Sequence, residues 1–151
     1  GGTALKIEEF KNITIAYIRR TGNYGFENKI FMENFKEYLR EKELLDKSSV
    51  ILGIALDNPA MTDKNKLRYD VGLIVNGNPD IALDIRKIPD GIYAVFELPH
   101  TEQDITAFWS NIQKLVGSLS VDETKPVIER YPADKVAKHL CEFCIPLKKL
   151  S

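Results

Sequence analysis

The 151 residues are 44% hydrophobic and 28% charged, the balance of a folded globular chain with enough material for a sizeable core. A formal net charge of −1 excludes the basic footprint of a domain that grips nucleic acid by itself. No apolar run approaches the roughly 20 residues of a membrane-spanning helix, and two cysteines do not make a disulfide framework.

The chain opens on Gly1-Gly2 without a methionine or a signal peptide, which reads as a tag or linker remnant over residues 1–3, with cytoplasm as the expected compartment. An alternating segment from Leu5 to Arg19 then predicts one bent strand or two short ones. Thr21-Gly22-Asn23-Tyr24-Gly25 is turn chemistry, and Phe31, Phe35, Tyr38 and Leu39 set the apolar stripe of a helix over about Glu27–Leu45. Two strands follow, Val50 to Leu56 and Leu67 to Val75, before the turn-rich Asn76-Gly77-Asn78-Pro79.

The order then repeats. Residues 4–18, ALKIEEFKNITIAYI, match residues 82–96, ALDIRKIPDGIYAVF, with Ala4/Ala82, Leu5/Leu83, Ile7/Ile85 and Ala16/Ala94 all 78 apart. Several apolar matches at one offset indicate two copies of a supersecondary unit, one over about 4–76 and one over about 81–147, within one domain running from 4 to 151. In the second copy Pro89-Asp90-Gly91 marks a bend. Thr101 with Asp104 makes a capping box, and Ile105 to Leu119 continues as an amphipathic helix. Strands over Pro126 to Tyr131 and His139 to Leu147 close the chain.

These elements predict an α+β fold: duplicated β-α-β-β units joined into one antiparallel sheet, with two helices on one face and a ligand groove between the copies. The sheet's other face is expected to be open. Period-two alternation puts Glu129 and Tyr131 on one side of their strand, and Glu142 and Cys144 on one side of theirs. Asp70 takes the place of Glu142 in the first copy. Such carboxylates near rings suit an organic cation, although acidic strand residues more often face solvent. Trp109 lies on the helical apolar stripe and reads as core before it reads as a ligand contact. Cys141 and Cys144 fall on opposite strand faces, and no glycine-rich phosphate loop, metal-ligand spacing or nucleophile motif is present, so neither a metal nor a cofactor is expected.

A family resemblance rests on several short segments in a fixed order. They are Ala16-Tyr17-Ile18-Arg19 with Thr21 to Gly25, Gly53-Ile54 before Asp57-Asn58-Pro59, Leu67 to Val71, Ile88 to Val95, Phe108-Trp109, Ile128-Glu129-Arg130-Tyr131, and Glu142 to Leu147. Together, from about Leu5 to Leu147, the chain resembles the GyrI-like domains, the effector-binding domains of AraC/Rob-type and BmrR-type bacterial transcription regulators. Asn23 stands where that pattern has proline, and Ala55-Leu56 where aromatics are common.

The resemblance implies binding of amphipathic, often cationic molecules, multidrug-like in character, in the groove between copies. Glu129 or Glu142 would meet the charge, Glu129 being favoured with Tyr131 beside it. Tyr24, Tyr69, Tyr93, Trp109 and Tyr131 are the candidate rings. Three readings stand side by side. The chain is an effector-sensing module that reaches DNA only through a separate helix-turn-helix; or a stand-alone protein with DNA gyrase as partner; or a hydrolase of cyclopropane-containing toxins, with Glu129 and Tyr131 in proton transfer. Binding rather than catalysis is the leading expectation.

Overall fold

The computed structural model describes residues 4–77 and 79–149, so the remnant read at Gly1 to Thr3, and Asn78 of the expected turn, lie outside the described residues. The first half holds strands Ala4–Phe10 (β1) and Ile13–Thr21 (β2), helix Phe26–Glu41 (α1), and strands Val50–Ala55 (β3) and Arg68–Val75 (β4). The second holds Asp84–Ile88 (β5), Gly91–Pro99 (β6), helices Glu102–Ser110 (α2) and Ile112–Val116 (α3), strand Ile128–Pro132 (β7), a short helix Ala133–Val136 (α4) and strand Leu140–Leu147 (β8). No helix among the described residues is long and apolar enough to cross a membrane.

The eight strands form one antiparallel sheet in the order β1-β6-β8-β7-β3-β4-β2-β5. Exchanging the halves reverses this order onto itself, so the sheet has the two-fold pattern that the 78-residue repeat predicts. The seam is β3 against β7, with Gly53 opposite Glu129. Each half's leading strand crosses to the other half: β1 pairs with β6, and β5 with β2.

Both long strand segments break in the middle. Asn12 sits at φ 56°, a left-handed conformation that asparagine tolerates better than most residues. The matching break at Pro89-Asp90 faces it, and the Asn12 amide donates to Asp90 Oδ1 at 3.1 Å.

Met32, Phe35 and Leu39 of α1, with Phe108 of α2 and Val116 of α3, pack on the sheet face formed by Tyr69, Val71, Phe96, Tyr131 and Phe143. Burial of these side chains is the main stabilising term, at about 1.5–3 kcal/mol for each large apolar residue. α1 ends at Glu41, short of the expected Leu45, because Glu43 turns to φ 55°. The second helix breaks at Asn111, whose side-chain amide donates to the Ala107 carbonyl at 2.8 Å. Thr101 caps α2 as expected, accepting from the Asp104 amide at 3.0 Å. Its hydroxyl donates to the Asp104 carboxylate, in place of the reciprocal backbone bond.

The opposite sheet face is not open, contrary to the expectation from the element order. The sheet curls over a second apolar core that includes Phe10, Ile15, Leu52, Tyr93 and Val95. Two buried carboxylates sit on this face. Asp70, 0% exposed, accepts from Arg19 at 2.6 and 3.0 Å and from Arg86 at 2.8 and 3.1 Å. Glu142, 2% exposed, accepts from Arg130 at 2.8 Å, and Arg130 also reaches Glu8 at 2.7 Å. Each carboxylate is matched by guanidinium groups, as a buried charge must be.

Candidate functional site

A cleft of about 780 Å³ opens between α1 and α2, above the seam of the two halves. Its floor is a carboxylate. Glu129 projects from β7 onto the helix-covered face and keeps some accessible surface at the bottom of the cleft. Its Oε1 accepts from the Tyr131 hydroxyl at 2.8 Å and from the Tyr69 hydroxyl at 3.1 Å. Tyr131 reaches it because residues two apart on a strand share a face.

Tyr69 reaches it from β4, across β3, because β3 places a glycine between them. A Cβ on Gly53 would stand 2.5 Å from the Tyr69 hydroxyl oxygen and 2.9 Å from Glu129 Oε1. The Gly53-Ile54 pair singled out in the sequence therefore has a physical cause. The carboxylate and phenol occupy the space that any side chain would need.

Burial pushes the Glu129 carboxyl above the usual carboxylate range, and outweighs the two tyrosine hydrogen bonds that favour its ionised form. Desolvation, with the adjacent carboxylate, raises Tyr69 and Tyr131 as well, so both remain protonated donors. The His100 ring lies 5.3 Å from the Tyr131 ring. Burial first, and then the Lys36 charge, lower its pKa and hold it as a neutral imidazole. The Lys36 ammonium sits 5.3 Å from the centroid of the Tyr131 ring and 3.5 Å from Glu33. The apolar part of the walls is Phe26, Met32, Ile105, Trp109 and Phe143, and Asn28, Lys29, Glu33, Glu102 and Thr106 stand among them. Trp109, 41% exposed, lies edge-on to Phe143 at 5.4 Å.

Of the residues expected to form a site, Glu129, Tyr131, Tyr69 and Trp109 meet in this cleft. Trp109 is a cleft wall rather than the core residue that its helical stripe predicts. Tyr24 stands behind the wall, edge-on to Tyr69 at 6.5 Å, and its hydroxyl accepts from the Asp57 amide at 3.1 Å. Glu142 and Tyr93 do not reach the cleft. Phe143 takes the helix-covered face, so Glu142 beside it must point to the other face, where Arg130 holds it. Tyr93 stacks on Phe10 at 4.2 Å on that same side.

Sequence reasoning missed Lys36, Met32 and His100. Lys36 reads as one lysine among many on a charged helix. Its signal is position: it follows buried Phe35 and lies one turn beyond buried Met32, at the margin of the α1 stripe.

Comparison with known proteins places the chain in a family. The model of the GyrI-like small molecule binding domain matches residues 3–148, and the chain belongs to that family. A relative from Bacillus subtilis (strain 168), named "SPbeta prophage-derived putative transcriptional regulator YosT", is 38% identical over 148 residues, covering 95% of this chain and 99% of the relative. The structure of SAV2435 bound to tetraphenylphosphonium is similar with a TM-score of 0.65 at 16% identity, covering 96% of this chain and 94% of that one. The C-terminal domain of EcmrR is similar with a TM-score of 0.67 at 10% identity, covering 98% and 99%. At these identities the two structures establish the fold.

Proposed function

We propose that the chain is an effector-sensing domain of, or related to, a bacterial transcription regulator, and that its cleft binds amphipathic organic cations with Glu129 as counter-charge. One observation carries the reading: a carboxylate at the floor of a cleft with aromatic rings in its walls, held by two phenol hydroxyls. Both hydroxyls take Oε1, and Oε2 has no hydrogen-bond donor among the described residues. A lipophilic cation gives up little hydration on entry, gains contact with the rings, and restores charge balance to a carboxylate that burial disfavours. The tetraphenylphosphonium bound by SAV2435 is a ligand of this chemistry. Binding reaches DNA only by biasing a two-state arrangement against a separate helix-turn-helix reader, in keeping with the regulators among the similar proteins.

The test is a titration with tetraphenylphosphonium, read by the fluorescence of Trp109, the only tryptophan. Saturable binding is expected. Glu129→Gln should weaken it by roughly tenfold or more, while neutral triphenylphosphine oxide changes by less than about twofold. A folded wild type that shows no saturable binding refutes the proposal.

A further inference from the structure

We infer that Lys36 is the resident cation of the cleft: its ammonium holds the position over Tyr131 that a ligand's cation takes on binding, so Lys36 selects for bulky lipophilic cations able to displace it. The inference rests on the reading of the cleft as a cation site, and adds to it an internal competitor.

Three observations converge. The ammonium lies 5.3 Å from the Tyr131 ring centroid, inside the roughly 6 Å reach of a cation–π contact. That ring belongs to the phenol that donates to Glu129, so the lysine and the buried carboxylate share one aromatic side chain. The Lys36 side chain is only 16% exposed, although a lysine on a surface helix ordinarily keeps its charged head in water. Glu33, one turn back and 58% exposed, stands 3.5 Å from the ammonium and offers it a second, outward partner. The ammonium reaches the inner ring and the outer carboxylate together, and its flexible four-carbon stem lets it leave the ring while keeping Glu33.

Lys36 also adds to what the two tyrosine hydrogen bonds do for Glu129. Its positive charge opposes the upward push of burial on that carboxyl, as an entering cation's would. The other cleft-side charges do not take this place. Lys29 and Glu102 line the cleft without a recorded contact to the Tyr131 ring, and His100 beside that ring is held neutral.

The consequence is a threshold. A small hydrated cation brings too little apolar surface to displace a tethered ammonium from the ring. A cation shielded by several aromatic groups contributes its own contact with Trp109, Phe143 and Met32, and drives Lys36 off the ring to rest on Glu33 alone.

Wild type, Lys36→Gln, Lys36→Met and Arg in place of Lys36 (K36R) are titrated with tetraphenylphosphonium, tetramethylammonium and triphenylphosphine oxide, read by Trp109 fluorescence. Met keeps the apolar stem, so it guards against a Gln variant that fails to fold. Both neutral variants are expected to bind tetraphenylphosphonium about tenfold tighter and to gain measurable affinity for tetramethylammonium, while the neutral phosphine oxide shifts by less than about twofold. K36R should stay close to wild type.

Wild-type binding of tetraphenylphosphonium that the neutral variants match or weaken overturns the role of Lys36 and leaves the cation site standing. Absence of binding in wild type and in both neutral variants overturns the cation site, and the inference with it. Binding that appears only when Lys36 is neutralised overturns both, because the wild-type cleft then takes no cation.

Discussion

Replacing Gly53 with alanine asks whether the hydrogen-bonded group at the cleft floor depends on an empty place in β3. The new methyl carbon would lie 2.5 Å from the Tyr69 hydroxyl oxygen, 2.9 Å from Glu129 Oε1 and 3.1 Å from Met32 Cε. The methionine end can yield. Tyr69 cannot do so cheaply, because it is 3% exposed and its ring is part of the helix-side core. Overpacking of this kind costs about 1–3 kcal/mol, and stranding the Tyr69 hydroxyl away from Glu129 costs about 1–3 kcal/mol more. Removing a strand glycine returns about 0.5–1 kcal/mol.

The net expectation is a loss of about 1–5 kcal/mol in urea unfolding, with tetraphenylphosphonium affinity falling alongside it. Gly72→Ala is the control. Its methyl carbon would meet Ile15 at 2.8 Å on the opposite face, so it should cost stability and leave binding by the folded protein unchanged. A Gly53→Ala protein within about 0.5 kcal/mol of wild type, with unaltered binding, would refute the argument that the vacant position holds the site together.

Two further expectations concern charge. Asp70→Asn removes the partner of both Arg19 and Arg86 on the enclosed face and should cost about 3 kcal/mol. That is the low end for breaking a buried pair, since both arginines retain some access to water, and cation binding by the folded variant should be untouched. Glu129 has its folded pKa raised above its unfolded value. Its stabilising contribution is therefore complete below the unfolded pKa and is lost as pH rises through the folded one. The stability of Glu129→Gln relative to wild type should accordingly be greatest near about pH 8 and shrink toward about pH 4, measured as paired urea midpoints; a constant gap would contradict the raised pKa.

Much of the architecture is legible in the residues. The offset of 78 gives the two-fold sheet, because matched segments fold alike wherever they stand; Pro89-Asp90-Gly91 gives the bend between β5 and β6, and Thr101 the start of α2, because those signals act over a few residues. The Glu129–Tyr131 pair is legible for the same reason. What alternation cannot tell is which face of a strand the helices cover. It groups Glu142 with Cys144 and Phe143 with Ile145, but only the packing of Phe108 against Phe143 decides that Glu142 lies on the far side. Arg130, which holds Glu142 there, and Glu8, which shares that arginine, come from two other strands and carry no local sign of that pairing. The breaks at Glu43 and Asn111 are single-residue events that an apolar stripe runs across without interruption.

The crossing of β1 and β5 makes the halves mutually dependent, and the buried charges show how. Counted at the repeat offset, Glu8 on β1 corresponds to Arg86 on β5, and Arg19 to Glu97. In the native sheet Arg86 is delivered to Asp70, which Arg19 also holds, and Glu8 to Arg130, which also holds Glu142. Each half therefore completes a charge cluster of the other: two arginines about one carboxylate in the first, two carboxylates about one arginine in the second. A duplicated unit has become two unlike parts, each finished by a strand that the other supplies.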